Sequence, residues 1–157
     1  ETTTNLIGNG LHALITHRDQ LDRLAADPGL IDSAVEELLR FESPLQLNNR
    51  LTTGPMVING TEIPAGTFLT LGVGAANRDP AQFDRPDELD IGRTPNNHVA
   101  FGQGQHACSG MNVARLEGRI AFGRLVARFP GIDLAAVPER DPRIRFRGFR
   151  RLPVTLG

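Results

Sequence analysis

The chain has 157 residues, 39% apolar and 22% charged, with 17 cations against 18 anions and a net charge of −1 at pH 7. This is the composition of a soluble globular chain; it excludes disorder and collagen, and with no apolar run near ~20 residues and no basic-then-apolar leader, a cytoplasmic protein with no membrane partner is expected. Every cation is arginine and the one cysteine is Cys108, which removes lysine Schiff-base chemistry, disulfides within the chain and all-cysteine metal cages, while the near-neutral charge argues against nucleic-acid binding.

The chain opens at Glu1 without a methionine, and Leu6, Ile7, Leu11, Leu14 and Ile15 predict a first helix with one buried face. Gly8 and Gly10 weaken that helix, so something is expected to approach its backbone closely. A helix entered with no visible preceding turn favours a fragment of a longer protein. A second helix is predicted over Arg18 to Ala26, stopped by Asp27-Pro28-Gly29, and a third over Ile31 to Phe41, with Pro44 closing that region. Short β segments follow from Asn49 to Leu71. Among them Asn59-Gly60 is a hairpin turn, because both residues tolerate positive φ, flanked by strands at Met56 to Ile58 and Glu62 to Ile63.

Residues 77–110 sustain neither helical nor strand period, and a long irregular segment inside a domain is usually functional. A long amphipathic helix is then marked by Val113, Leu116, Ile120, Phe122, Leu125, Val126 and Phe129 and stopped by Pro130-Gly131. Short strands are predicted at Ile132 to Leu134, Ile144 to Phe146 and Leu152 to Leu156. Residues 1–110 carry 7 arginines and 14 acids (−7), whereas residues 111–157 carry 10 and 4 (+6). A basic C-terminal third suits an acidic partner. There is no repeat, no low-complexity tract and no linker dividing the chain.

The ten residues Phe101-Gly102-Gln103-Gly104-Gln105-His106-Ala107-Cys108-Ser109-Gly110 carry the chemistry. They present a thiol on a glycine-bearing loop at a helix start, where backbone N–H groups and the helix dipole favour a thiolate, a soft metal ligand. Gly104 and Gly110 let the backbone pass close to a flat object, and Phe101 can shield the sulfur. From the residues alone, an inert buried cysteine in a glycine-rich loop is the alternative.

This segment resembles the haem-binding loop of the cytochrome P-450 family, F-x-x-G-x-x-x-C-x-G, at every fixed position, with the histidine two residues before the cysteine that bacterial members commonly carry. The resemblance implies that Cys108 is the axial ligand of haem b (iron protoporphyrin IX), with Phe101, Gly102, Gly104, His106 and Gly110 in the cofactor site. It implies that Glu37 and Arg40, the E-x-x-R pair on one face of the third helix, form a buried clamp on the meander between Asn77 and Arg93; by spacing alone they could equally be a surface ion pair. Arg50 and His106 correspond to haem-propionate ligands. Glu1-Thr2 resembles the acid-alcohol pair that relays protons on the distal side, although by itself a threonine at a helix start is an ordinary cap. Leu45, Gln46 and Leu47, with the segment around 148–151, are substrate-contact candidates and equally candidates for packing. Arg115, Arg119, Arg124 and Arg128 lie on the side that receives the electron donor, an acidic ferredoxin fed by ferredoxin reductase.

The implied fold is mainly α with a small β component, the C-terminal part of the cytochrome P-450 fold, with residues 1–157 forming a single haem-thiolate portion and the upstream portion absent. The implied function is a monooxygenase that inserts one atom of dioxygen into a small organic substrate with electrons from NAD(P)H. A non-catalytic haem-binding module without a complete substrate pocket is the main alternative. A zinc or thiol site using Cys108, His106 and His98 is a third.

Overall fold

A computed structural model describes every residue from Glu1 to Gly157. Helices α1 (Thr2–Thr16), α2 (Arg18–Ala26) and α3 (Ile31–Phe41) follow the periodicity, with a 3-10 turn at Pro28–Leu30 where the Asp27 carboxylate accepts the Gly29 N–H at 3.0 Å. Helix α3 turns Ala34, Val35, Leu38 and Leu39 into a core shared with Leu6 and Leu14 of α1, Leu21 of α2 and Phe122 of the long helix α5 (Met111–Arg128). Close crossings of these helices explain two glycines. A Cβ on Gly10 would sit 2.5 Å from Cζ of Phe122, and one on Gly118 would sit 3.2 Å from Cγ1 of Val35. Gly8 meets only an ordinary contact, 3.9 Å from Phe149, so the expected close approach holds at one glycine of the pair.

The strands form four separate two-stranded antiparallel sheets. Strand β1 (Leu47–Leu51) pairs with β4 (Phe68–Gly72) in a register running from Leu47 opposite Gly72 to Leu51 opposite Phe68. Strands β2 (Met56–Ile58) and β3 (Thr61–Ile63) close on Asn59 and Gly60 at φ 47° and 78°, the left-handed turn the sequence predicts. A short helix α4 (Val73–Ala76) follows β4. In the tail, β5 (Ile132–Leu134) pairs with β8 (Val154–Leu156), and β6 (Glu139–Arg140) pairs with β7 (Phe149–Arg151).

Two expectations need correction. No strand spans Ile144 to Phe146; Ile144 is 80% exposed, only Phe146 makes a bridge, to Leu45, and the strand lies at Phe149–Arg151. The apolar residues of α5 do not share one buried face: Phe122 and Val126 enter the core, whereas Val113, Leu116 and Ile120 are exposed.

Residues 77–110 contain no strand and a single 3-10 turn, Gly104–His106. Their backbone is held by polar side chains reaching out from α3 and Asn77 rather than by ladders. No helix is long and apolar enough to cross a membrane.

Candidate active site

Between α1, the start of β1 and the end of the irregular segment lies a cavity of about 520 Å³, within the range that holds a small molecule or cofactor. Cys108 is an exposed free thiol on its wall, so the reading of an inert, packed cysteine is overturned. The loop reaches this position through backbone geometry. Gly102 and Gly104 take φ of 70° and 67°, where a side chain would be strained, and the Cys108 N–H donates to the Phe101 carbonyl at 2.8 Å. Helix α5 begins three residues after the sulfur, capped by Gly110 with no side-chain hydrogen bond, so its positive end faces the cavity. A Cβ on Gly110 would stand 3.9 Å from Sγ, an ordinary contact.

These residues fit the group their loop motif implies. A thiol with no covalent partner opens on a wall made by Leu6, Leu39, Ala100, Phe101 and Val113, with glycine backbone at Gly102 and Gly110 leaving room for a flat ring. Such a surface shields a metal–sulfur bond from water and leaves one soft ligand free.

On α3, Glu37 and Arg40 are both fully buried, with side chains 0% exposed, joined by Nε to Oε2 at 2.8 Å and Nη2 to Oε1 at 2.9 Å. The remaining donors of Arg40 go to the carbonyls of Asn77, Pro86 and Glu88. The Glu37 carboxylate also accepts from the Asp90 N–H, Arg93 Nε and Asn96 Nδ2. Arg93 is therefore the meander arginine that completes the clamp. The spacing of the sequence could not single it out, because it meets Glu37 across 56 residues.

The neighbouring Glu36 reaches the other end of the irregular segment. Its two oxygens accept Arg115 Nε at 2.6 Å and Nη2 at 2.8 Å, and Oε2 also meets His98 Nε2 at 3.1 Å. Burial pushes the carboxyl up, but the hydrogen bonds from Arg115 and His98 and their charge outweigh it and hold it at about 2. His98 Nδ1 also meets the Ala100 N–H at 3.2 Å. Both ring nitrogens of His98 are thus engaged, and no three metal-ligating groups cluster around the thiol; the zinc set of Cys108, His106 and His98 is not assembled.

Thr2 and His106 line the cavity, as do Leu45, Phe101, Gly102 and Gly110. Arg50 does not. It shares a face of β1 with Asn48, which does line the cavity, and its Nη1 donates to the Asn49 carbonyl at 2.8 Å. Glu1 is turned away, its carboxylate ion-paired with Arg143 and half exposed. Gln46 and Leu47 border a different depression beside Gly72 and Arg147, and Gln46 Nε2 donates to the Ser43 carbonyl. Gly148 packs against Asn5, and Phe149 stacks on His12 at 4.9 Å, so the 148–151 segment supports α1. Of the α5 arginines, Arg119 pairs with Asp32 at 3.1 Å and Arg115 with Glu36, leaving Arg124 and Arg128 without a carboxylate. Val113 and Glu117 line the cavity without any sequence signal having marked them for it.

A family model described as Cytochrome P-450 matches residues 12–153. A Vitamin D(3) 25-hydroxylase from Pseudonocardia autotrophica is 50% identical over 162 residues, covering 100% of this chain and 40% of that protein. A biotin biosynthesis cytochrome P-450 from Bacillus subtilis (strain 168) is 46% identical over 156 residues, covering 99% of this chain and 40% of that one. The crystal structure of P-450BioI in complex with an acyl carrier protein ligated to hexadec-9Z-enoic acid superposes with a TM-score of 0.97 at 45% identity, covering 100% of this chain and 41% of that chain. The chain spans about 40% of the length of these curated relatives.

Proposed function

The chain belongs to the cytochrome P-450 family, and from that premise we propose that it is the C-terminal haem-thiolate portion of a bacterial monooxygenase that transfers one oxygen atom of dioxygen to a small organic substrate. The observation that carries this reading is the exposed Cys108 thiol opening on an apolar cavity of about 520 Å³ at the start of α5. Haem b, when bound, supplies the redox and oxygen-activating chemistry, and the protein supplies ligand, orientation and protons.

Cys108 would hold the iron as a thiolate, its negative charge favoured by the α5 dipole, while Phe101, Ala100 and Leu39 exclude water from the bond. Gly102 and Gly110 leave the ring its space. His106 and Arg50 are the propionate partners: His106 already stands on the cavity wall, and Arg50 lies one strand repeat beyond Asn48 with guanidinium donors remaining beside the one given to Asn49. The Thr2 hydroxyl would pass its proton into the cavity from the wall, and the Glu1 carboxylate, once turned from Arg143 and protonated from solvent, would replace it. Leu45, with Asn48 and Val73, borders the substrate space. Electrons from NAD(P)H, passed by ferredoxin reductase to an acidic ferredoxin, would arrive on the α5 side, a cytoplasmic supply route.

The test is the reduced carbon monoxide spectrum of the haem-loaded protein. Wild type gives the thiolate-type band and Cys108→Ala loses it; an unaltered band in the variant removes Cys108 as the ligand. Substrate turnover with a ferredoxin system separates an enzyme from a haem-binding module.

A further inference from the structure

We propose that Glu36 is a positioning residue for the thiolate site: it holds Arg115 and His98 against the Phe101 ring and thereby sets the electron-richness of the Cys108 sulfur. This inference rests on the reading of Cys108 as the iron ligand.

Phe101 has two links to the sulfur. Its carbonyl accepts the Cys108 N–H at 2.8 Å, and its ring lines the same cavity wall as the thiol. Behind the ring stand two basic groups. Arg115 Cζ lies 4.8 Å from the ring centroid, and the His98 imidazole lies 6.1 Å away, tilted by 51°. A guanidinium over an aromatic face is attracted by the ring's negative quadrupole, but only if it is kept there.

Glu36 keeps it there. Its carboxylate takes Arg115 in a two-pronged grip and His98 through Nε2, fixing both groups with one anion. His98 passes the restraint along the backbone through the Ala100 N–H, and Asn77 Oδ1 accepts the Val99 N–H at 2.8 Å. The stretch from 98 to 101 is thus tied at successive residues before it reaches the cavity. The Glu36 side chain is 27% exposed and that of Arg115 31%, so the pair lies at the edge of the core, where screening by water is incomplete.

Glu36 does a second thing. Its negative charge cancels the Arg115 cation next to the thiolate site. Without it, an uncompensated cation would favour electron uptake, and a loosened Phe101 would weaken the restraint on the Cys108 amide.

The experiment uses the haem-loaded whole protein and reads the reduced carbon monoxide spectrum, the one-electron midpoint potential and hydrogen exchange at the Cys108 amide in wild type, Glu36→Gln, the double variant Glu36→Gln/Arg115→Gln and Asp32→Asn. Glu36→Gln is expected to keep the thiolate-type band, to raise the potential by up to about tenfold in the reduction equilibrium, about 59 mV, and to speed exchange at Cys108. The double variant restores the charge balance but not the support of the ring, so the exchange and part of the potential shift should persist. Asp32→Asn removes the parallel α3–α5 ion pair with Arg119, which does not touch Phe101, and should leave both readouts near wild type. An unchanged potential and amide in Glu36→Gln overturns the proposal, as does a double variant that returns fully to wild type, which would reduce the effect to charge alone. An Asp32→Asn shift as large as that of Glu36→Gln overturns it too. A wild-type protein lacking the thiolate-type band would overturn the Cys108 reading itself, a result separate from the others. If Glu36→Gln fails to retain haem, Glu36→Asp, which keeps the charge on a shorter arm, isolates the support of the ring: faster exchange at the Cys108 amide with a smaller rise in potential is expected, and exchange equal to wild type overturns the proposal.

Discussion

Two adjacent carboxylates on α3 do different work because one helical step turns the side chain by about 100°. Glu37 points into the meander and is fully buried; Glu36 points toward the Phe101 loop and α5. With Glu36 held at about 2 when folded, against an ordinary value near 4.5, folding favours its ionised form. The stabilisation is therefore complete above pH 4.5 and is lost as pH falls from there through about 2. Its ceiling is about 3 kcal/mol, reduced by the solvent that reaches a partly exposed pair. Urea unfolding of wild type and Glu36→Gln at several pH values should show a gap that is full at pH 6 and closes toward pH 2. A gap constant across that window would mean that the carboxylate is not held below its ordinary range.

At the scale of elements, α3 anchors the irregular segment. The meander has few backbone ladders of its own, so three of its carbonyls rely on Arg40. Arg40→Ala leaves them and Glu37 short of partners in a dry interior. A cost of about 3–5 kcal/mol is expected, seen as loss of soluble protein and of haem content; a variant with wild-type solubility and haem loading would contradict the clamp. The helices and the Asn59-Gly60 hairpin were legible in the sequence, since periodicity, proline stops and turn residues act over short spans. The tail was less so. The alternation from Ile144 to Phe149 suits a strand anywhere along it, and only pairing with Glu139 and Arg140 selects Phe149–Arg151. The thiol loop was readable as a motif, whereas Arg93, His98 and Arg115 find their carboxylates across 56, 62 and 79 residues, a closure that no local pattern encodes.

For the whole molecule, charge is segregated along the chain but partly reunited by folding. Arg115 and Arg119, from the basic third, neutralise Glu36 and Asp32 from the acidic part, and Arg140 and Arg147 converge on Glu42. On α5 the cations without a carboxylate partner are Arg124 and Arg128, the ones that would steer the proposed acidic electron donor. Arg124→Gln/Arg128→Gln should slow association with ferredoxin several-fold at low ionic strength, the difference shrinking as salt is added. Stopped-flow reduction at two salt concentrations measures this, and equal rates for variant and wild type would place the donor elsewhere. The two neighbouring grips of α3, one at each end of the stretch from Asn77 to Gly110, have a further consequence for how the protein comes apart. A region tied to one rod at both ends has no stable half-released form, so under denaturant the floor of the cofactor chamber should let go in a single step, surrendering pigment and loop together.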